Sequence, residues 1–236
     1  METDYPPADA NIDPTASLKY WNSVSPNVNG MLGGYPQISR IDLRGSANFL
    51  AKLRRLSSQP APADTKLKLG VDCGAGIGRV TEGFLSKVCE TVDVVEPVEA
   101  FATVVKDGKL KQEGKVGDIY VVGLETWKPS KTYDLIWNQW CVGYLTDTHL
   151  VEYLKRCSAV IDKRGWIVVK ENLSIDLEGE DVYDELDSSV TRSDAKFHGI
   201  FEQAGLRVVK EEIQAGFPKR LGLYLVKLYA LRPQDP

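Results

Sequence analysis

The chain has 236 residues, of which 43% are hydrophobic and 26% charged, and its formal net charge is -4. This composition is typical of one compact α/β domain with a small extension. Because there is no long Lys/Arg block and no apolar run near the roughly 20 residues of a membrane helix, we expect binding to neither nucleic acid nor membrane.

The N-terminal part of the chain is predicted to be an extension of the main domain. Residues 1–14 are acidic and contain prolines, which predicts a disordered tail without the basic start and apolar core of a targeting peptide. Residues 15–60 are predicted to be a helical extension, and a Pro-, Ala- and Ser-rich linker, 57–65, marks where it joins the main domain. The main domain is therefore predicted to cover 61–236. We expect the protein to be located in the cytoplasm and also, as a further expectation, in the nucleus.

A glycine-rich turn follows the first predicted strand of this domain. The stretch 66–79, K-L-K-L-G-V-D-C-G-A-G-I-G-R, indicates a buried strand that turns through glycines into a helix. Glycines permit a tight turn and close approach of a ligand, and a helix N-terminus offers unpaired N–H groups. A dinucleotide fingerprint requires a glycine where Arg79 stands. The actual spacing, Asp-x-Gly-x-Gly-x-Gly from Asp72 to Gly78, resembles the turn of class I S-adenosylmethionine-dependent methyltransferases.

The second predicted strand, 91–96, ends on a carboxylate. Glu96 follows the glycine turn by about 20 residues, the separation at which an acidic side chain accepts hydrogen bonds from the ribose hydroxyls of an adenosine ligand. Taken alone, Glu96 fits a solvated charge at a strand end equally well. Its spacing from the glycine turn favours the nucleoside site, so S-adenosylmethionine is the predicted cofactor.

Strands and helices alternate through the rest of the domain, which predicts a mostly parallel sheet with its ligand at the C-terminal strand ends. The last two segments, 206–213 and 221–231, alternate in polarity and predict an antiparallel hairpin. Methyltransferase sheets have such a hairpin, whereas dinucleotide-binding sheets usually lack it. The predicted fold class is therefore α/β, a class I methyltransferase (Rossmann-like) sheet. The other predicted strands are 66–73, 91–96, 117–123, 133–138 and 165–171, and the helices are 79–88, 98–106, 147–160 and 193–204.

Two further stretches are predicted to carry chemistry. Trp140 stands just past the strand 133–138, where we expect its ring to form a wall of a substrate slot, with core packing as the alternative. An acidic insertion follows the strand 165–171 and ends at 183–192. Read alone it is a solvated loop, but from that position it can fold over the cofactor site, where its carboxylates would attract a cationic acceptor. The four cysteines show no Cys-x-x-Cys pair, and we expect no metal site.

Several stretches together resemble the eukaryotic protein N-terminal α-amine methyltransferases, which methylate exposed X-Pro-Lys termini. The matching stretches are 20–21 (YW), 28–35 (VNGMLGGY), 72–79 (DCGAGIGR), 137–140 (WNQW), 145–147 (LTD) and 186–190 (LDSSV). The resemblance implies methyl transfer from S-adenosylmethionine to protein N-termini, with ribosomal proteins among the expected partners and a monomeric enzyme. The alternatives are a small-molecule or protein side-chain methyltransferase and a non-catalytic adaptor with a methyltransferase-like core.

The resemblance also implies a division of labour among the residues. Asp187 is the first candidate for the catalytic base, and Tyr144 is the second, although the family usually has histidine there. Arg79 would bind the carboxylate of the cofactor. The other cofactor residues would be Gly74, Gly76, Glu96, Pro97, Val98, Leu124, Glu125 and Gln139. Trp21 and Trp140 would flank the proline, Asn172 would anchor the peptide backbone, and Asp184, Asp187 and Ser189 would contact the lysine and the α-amine region. The extension 15–60 would cover the substrate channel, with Met31, Leu32, Gly33 and Gly34 over it.

The chemistry limits what a base has to do. Methyl transfer requires a neutral amine, and a free α-amine has a pKa of about 7.7–8.0, so a substantial neutral fraction exists already. Much of the rate should therefore come from alignment of the amine with the methyl group. Because a neighbouring carboxylate raises the pKa of the amine, we expect Asp187 either to accept the proton or to position the amine.

Overall fold

The structure is a computed structural model that describes residues 6–56, 65–176 and 179–234. Its strands are β1 (Leu67–Cys73), β2 (Cys89–Val95), β3 (Val116–Tyr120), β4 (Tyr133–Gln139), β5 (Ile161–Leu173), β6 (Val182–Asp184), β7 (Ser189–Thr191), β8 (Leu206–Ile213) and β9 (Leu225–Pro233). Its helices are α1 (Pro14–Ser23), α2 (Val28–Met31), α3 (Ser39–Arg55), α4 (Ser86–Val88), α5 (Glu99–Asp107), α6 (Lys109–Gln112), α7 (Asp147–Val160) and α8 (Asp194–Gln203).

Seven strands form one sheet in the order β3-β2-β1-β4-β5-β9-β8. The strands β1 to β5 are parallel, and β9 lies antiparallel between β5 and β8. The predicted class I methyltransferase sheet with its C-terminal antiparallel hairpin is therefore confirmed. The strand β9 begins at Leu225 rather than at 221, because a 3-10 turn, Lys219–Leu221, and the left-handed Gly222 (φ 60°) precede it.

Helices cover both faces of the sheet. On one face α7 and α8 contribute Tyr153, Leu154, Phe197 and Phe201 to a core that includes the buried side of β4 and β5. On the other face α3 contributes an apolar stripe, formed by Phe49, Leu50 and Leu53, which packs with Phe84. The predicted helix 79–88 contains a π-helical turn, Thr81–Leu85, before α4. The strand order and these layers bring the C-terminal ends of β1, β2, β4 and β5 to one edge.

The start of the chain differs from its prediction. Disorder is predicted over 1–14, but Ala8–Asn11 forms a 3-10 turn and Asp13 caps α1 by accepting a hydrogen bond from the Thr15 N–H at 2.8 Å. The segment is held by polar contacts, such as the Asp147 N–H that donates to Asp9 at 2.8 Å, which hydropathy does not reveal. Residues 1–5 and most of the predicted linker, 57–64, lie outside the described residues. The division between extension and domain stays a prediction.

The acidic insertion also has more structure than expected. Strands β6 and β7 pair antiparallel within it, with Tyr183 opposite Val190. Their connecting turn contains Ser188 in the left-handed region, at φ 56°. No helix in the described ranges is long and apolar enough to cross a bilayer.

Candidate active site

A cavity of about 510 Å³ opens where β1, β2, β4 and β5 end. The residues that follow these strands form one wall, and α1, α2 and the hairpin of β6 and β7 form the opposite side. In open parallel sheets, ligands bind at the C-terminal ends of the strands, which is where this cavity lies. The N-terminal extension and the acidic insertion, far apart in sequence, therefore meet across one site.

The glycines of the turn after β1 leave room at the backbone that a residue with a Cβ atom would fill. Gly74, Gly76 and Gly78 have positive φ angles of 65°, 57° and 78°. A Cβ atom on Gly74 would lie 2.3 Å from the Cβ of Cys141, and one on Gly76 would lie 2.6 Å from the sulfur of Met31. The conformation of the turn therefore requires glycine at these positions. The absence of side chains also lets a nucleoside approach the backbone closely, as S-adenosylmethionine would.

Glu96 is fixed at the end of β2 beside this turn. Its Oε2 accepts a hydrogen bond from the Gly76 N–H at 2.7 Å, and its Oε1 accepts one from the Val98 N–H at 2.8 Å. The side chain is 5% exposed, and burial raises its pKa to about 7 despite these two backbone donors. Each carboxylate oxygen keeps a lone pair for a further donor, such as a ribose hydroxyl.

The segment after β4 is held in a strained conformation. Trp140 has a φ of 54°, and its backbone N–H donates to the carbonyl oxygen of Lys170 at 3.0 Å. Glu171 accepts hydrogen bonds from the N–H groups of Cys141 and Val142 at 2.8 and 3.0 Å, and burial raises the pKa of Glu171 to about 7. Within the described residues the buried indole Nε1 of Trp140 has no partner. Strain supported by fixed neighbours is characteristic of functional sites.

The two candidate bases lie in direct contact. The hydroxyl of Tyr144 donates to Oδ2 of Asp187 at 2.7 Å. Burial and the charge of Asp187 raise the pKa of Tyr144 well above its usual value, so Tyr144 is a neutral donor. The other carboxylate oxygen of Asp187, Oδ1, is buried and has no partner in the described part of the chain. Asp187, which lines the cavity, therefore carries one buried acceptor atom without a partner in the described residues.

Most predicted site residues meet in this cavity. Both catalytic candidates and all nine predicted cofactor residues line it. Six of the nine predicted substrate residues do so as well. These six are Trp21, Met31, Trp140, Asn172, Asp184 and Ser189.

Leu32, Gly33 and Gly34 are not among the residues that line the cavity, and their predicted place over the channel stays a prediction. Gly33 and Gly34 have φ angles of 54° and 89° and form the turn that ends α2, where the Gly34 N–H donates to the carbonyl oxygen of Asn29 at 2.9 Å. Both glycines are exposed, while Leu32 is buried. The two glycines reverse the chain after α2, and Met31 is the member of this group that lines the cavity.

Several site residues are absent from the prediction. Glu171, Phe101 and Tyr224 line the cavity. Asp42 lies behind its wall, fully buried, and contacts both Arg79 and Gln139. A signal for Asp42 exists in the sequence, because it falls on the stripe of α3 that continues through Ser46 to the apolar Phe49 and Leu53. A charge on a buried stripe indicates a buried partner.

Outside the cavity, Asp194, His198 and Glu211 bring potential metal-ligating atoms within 4.8 Å of one another. The ammonium of Lys227 lies 2.7 Å from Asp194 and 3.1 Å from Glu211. Because this cation is ion-paired with both carboxylates, the group is a cluster of ion pairs at the surface.

The glycine turn, the carboxylate at the end of β2 and the reversed strand β9 together define a class I S-adenosylmethionine-dependent methyltransferase. A sequence model of one such family, described as AdoMet dependent proline di-methyltransferase, matches residues 9–232. The chain belongs to this family.

Characterised relatives agree with this assignment. The chain is 44% identical to "Alpha N-terminal protein methyltransferase 1" of Schizosaccharomyces pombe over 222 residues, which cover 93% of this chain and 95% of the relative. It is 39% identical to "N-terminal Xaa-Pro-Lys N-methyltransferase 1" of Xenopus tropicalis over 215 residues, which cover 91% of this chain and 92% of the relative. A solved SAM-dependent methyltransferase from Leishmania major superposes with a TM-score of 0.82 at 35% identity, covering 97% of this chain and 87% of that one. The protein is thus an S-adenosylmethionine-dependent methyltransferase.

Proposed function

We propose that this methyltransferase acts on the free α-amine of protein N-termini of the Xaa-Pro-Lys type. The observation that carries the proposal is a pair of buried polar atoms without partners, both on residues that line the cavity: Nε1 of Trp140, a donor, and Oδ1 of Asp187, an acceptor. Buried polar groups in folded proteins are normally paired. A peptide terminus supplies both missing partners, since its amine donates and its backbone carbonyl accepts.

The charge of the cavity supports a cationic peptide. Of the described residues that line it, six are acidic and Arg79 is the one Lys or Arg. The acidic residues are Glu96, Glu125, Glu171, Asp184, Glu185 and Asp187. Three of these, Asp184, Glu185 and Asp187, come from the end of β6 and the turn that connects it to β7. A lysine side chain passing this group would gain charge-assisted hydrogen bonds.

The aromatic side chains support a proline in the second position. Trp21 lies edge-on to Tyr144, with ring centroids 6.2 Å apart, and edge-on to Phe101 at 6.3 Å. Trp21 and Trp140 both line the cavity, one from α1 and the other from the segment after β4. Flat aromatic faces suit a proline ring, because burying it removes apolar area from water at little cost in side-chain entropy.

When bound, S-adenosylmethionine supplies an electrophilic methyl group on a sulfonium. Residues Gly74, Gly76 and Glu96 would hold its nucleoside, and Arg79 would bind its carboxylate. Oδ1 of Asp187 would then accept a hydrogen bond from the amine and orient its lone pair, or accept its proton. Tyr144 holds Oδ2 of the same carboxylate and, being neutral with a raised pKa, is not a base near pH 7.

A peptide assay tests the proposal. Purified protein and S-adenosylmethionine are incubated with Ser-Pro-Lys peptides that have a free or an acetylated N-terminus, and the methyl position is located by tandem mass spectrometry. We expect methylation of the free α-amine alone. A Ser-Pro-Glu peptide is the matched control for the third position and should react at least tenfold more slowly, since an ionic hydrogen bond is worth roughly 1.5–3 kcal/mol. Methylation of the lysine side chain in the acetylated peptide would instead indicate a side-chain methyltransferase.

Three finer statements remain predictions. We propose ribosomal proteins among the substrates, a monomeric enzyme, and a location in the cytoplasm or also the nucleus. The first two rest on the resemblance of the sequence stretches to the family.

A further inference from the structure

A buried carboxylate stands behind two of the predicted cofactor residues. Asp42, in the first turn of α3, is 0% exposed. Its Oδ2 accepts a hydrogen bond from Nη1 of Arg79 at 2.8 Å, and its two oxygens accept from Nε2 of Gln139 at 3.0 and 2.9 Å. Arg79 and Gln139 line the cavity, whereas Asp42 does not. One side chain of the N-terminal extension therefore holds two side chains of the cofactor wall, by which we mean the predicted cofactor residues that line the cavity.

Lys170 fixes Asp42 from the other side. Its Nζ donates to Oδ1 and to the carbonyl oxygen of Asp42, to the hydroxyl of Ser46 at 3.0 Å, and to Oε1 of Gln214 at 2.9 Å. Burial alone would raise the pKa of Asp42, but the charges of Lys170 and Arg79 outweigh it and hold that pKa below its usual value. Asp42 is consequently a charged acceptor whose position is set by α3, β5 and the segment after β8.

Arg79 spends only part of its hydrogen-bonding capacity on this contact. Nη1 donates to Asp42 and, at 3.4 Å, to the hydroxyl of Ser39, while no described residue accepts from Nε or Nη2. The guanidinium lies 5.6 Å from the ring centroid of Trp140. A guanidinium carries five N–H donors in a rigid plane, so holding one edge fixes the direction of the others. Gln139 is held at both ends, because its Oε1 accepts from Nε1 of Trp137 at 3.1 Å.

We propose that Asp42 is a positioning residue for the cofactor: it orients Arg79 and Gln139 so that their remaining donors meet the carboxylate of S-adenosylmethionine. The inference rests on the proposed assignment of Arg79 to that carboxylate. It makes α3 a part of cofactor binding, whereas the sequence predicts for the extension a role at the substrate channel. The cofactor wall is then complete only when α3 is docked on the sheet.

Calorimetry with two ligands tests this role without any turnover. One ligand is S-adenosylhomocysteine, and the other is its decarboxylated amine, which keeps the adenosine, the sulfur and the amino group. Asp42→Asn should weaken binding of S-adenosylhomocysteine about 10- to 100-fold, the range for a lost hydrogen bond to a charged group. The affinity for the decarboxylated amine should stay unchanged. Equal weakening of both ligands would overturn the inference, because it indicates a general loss of structure.

Arg79→Met separates the inference from the assignment beneath it. The preference for the carboxylate is the ratio of the affinity for S-adenosylhomocysteine to the affinity for the decarboxylated amine. If Arg79→Met leaves this ratio unchanged, the assignment of Arg79 to the carboxylate fails. If Arg79→Met removes that preference and Asp42→Asn does not, the inference about Asp42 is wrong. When both are right, adding Asp42→Asn to Arg79→Met weakens binding of S-adenosylhomocysteine by less than Asp42→Asn does in the native protein, since the part of its effect that acts through Arg79 is already lost.

Two more variants control for folding. Asp42→Asn leaves Lys170 buried beside an amide, which can destabilise the chain, so the double variant Asp42→Asn/Lys170→Met removes both charges together. It should show the same selective loss for S-adenosylhomocysteine; retention of the wild-type preference would overturn the inference.

Asp93→Asn is the matched control. Asp93 is also 0% exposed and accepts hydrogen bonds from Lys131 at 2.7 Å and Tyr133 at 3.0 Å, but it does not line the cavity. This variant should lower the free energy of unfolding and leave the ratio of the two affinities unchanged. A ratio that falls as much as in Asp42→Asn would attribute the effect to any lost buried carboxylate and contradict the inference.

Discussion

The hydroxyl of Tyr144 lies 2.7 Å from Oδ2 of Asp187, while Oδ1 of the same carboxylate is buried and has no partner among the described residues. A phenol with a raised pKa can donate in this pair but cannot take a proton from the substrate at neutral pH. The N-terminal α-amine methyltransferases, which the sequence resembles, usually have histidine at this position. The chain therefore concentrates the acceptor function on one oxygen of one residue, which leads to distinct predictions for the two partners.

Asp187→Asn should lower turnover of a Ser-Pro-Lys peptide by about 10²–10⁴, the range for lost general acid–base help. The amide keeps the shape of the side chain, so the affinity for S-adenosylhomocysteine should persist. Steady-state kinetics at saturating peptide and calorimetry measure the two quantities. A variant that loses only peptide affinity, with full turnover at saturation, would show that Asp187 contacts the peptide without acting on the amine.

Tyr144→His should introduce a pH dependence that the native enzyme lacks. A histidine with a pKa near 6.5 loses its proton as pH rises through that value, so the variant should gain activity over about pH 5.5–7.5 beyond the rise due to the amine itself. The measurement is the pH profile of turnover at saturating peptide. Tyr144→Phe is the control, since it removes the donor without adding a titrating group. Its profile should keep the native shape at a turnover reduced about tenfold.

Cofactor affinity should fall at acid pH because of Glu96. Its pKa of about 7 lies above the ordinary value of 4.5, so the free protein binds a proton there as pH falls below about 7. Ribose hydroxyls donate to the ionised carboxylate, which makes binding favour the deprotonated form. The dissociation constant for S-adenosylhomocysteine should therefore rise about tenfold per pH unit well below that value. Titrations from pH 5.5 to 8.5 check this dependence.

Glu96→Gln provides the control for that titration. The variant should bind more weakly at pH 8, because it replaces the charged acceptor by a neutral one, and it should bind equally at both ends of the range. An unaltered pH dependence in Glu96→Gln would assign the titration to another group, of which Glu171 is the first candidate, since burial raises its pKa to about 7 as well.

Trp140→Phe should weaken peptide binding by roughly tenfold while leaving cofactor affinity and the free energy of unfolding near their native values. The substitution keeps an aromatic ring and removes the indole N–H, which has no partner in the described residues. Losing an unpaired buried donor should not lower stability, whereas a donor to the peptide carbonyl should cost affinity. The Michaelis constant for the peptide and denaturant unfolding are the measurements. Marked destabilisation with an unchanged Michaelis constant would favour core packing for Trp140.

The sequence predicts the sheet and the cofactor turn well because both depend on local patterns. Apolar runs indicate the buried strands, and the glycines from Gly74 to Gly78 occupy positive φ angles that other residues adopt poorly. The separation of Glu96 from that turn follows from the length of one helical crossover. None of these features depends on a contact between distant parts of the chain, so they can be predicted from the sequence alone.

The remaining features are not marked by a pattern in the sequence. Asp42 and Lys170 are 128 residues apart, and neither has a local pattern that pairs it with the other, so tertiary contacts decide this pair. Gly33 and Gly34 form a local turn at the surface, and their residue types alone do not show where that turn lies relative to the cavity. Pairing of β6 with β7 is local as well, but it is hidden because the charges of the insertion indicate a solvated loop.

Ser188, next to Asp187, ties the hairpin of β6 and β7 to the start of the chain. Its hydroxyl accepts a hydrogen bond from the Asp13 N–H at 2.8 Å across 175 residues, and its carbonyl accepts one from Ser17. The turn that carries Asp187 is therefore anchored on the first helix, α1, as well as on its own hairpin. A substitution at Asp13 or Ser17 can consequently displace Asp187 although neither residue is near it in the sequence.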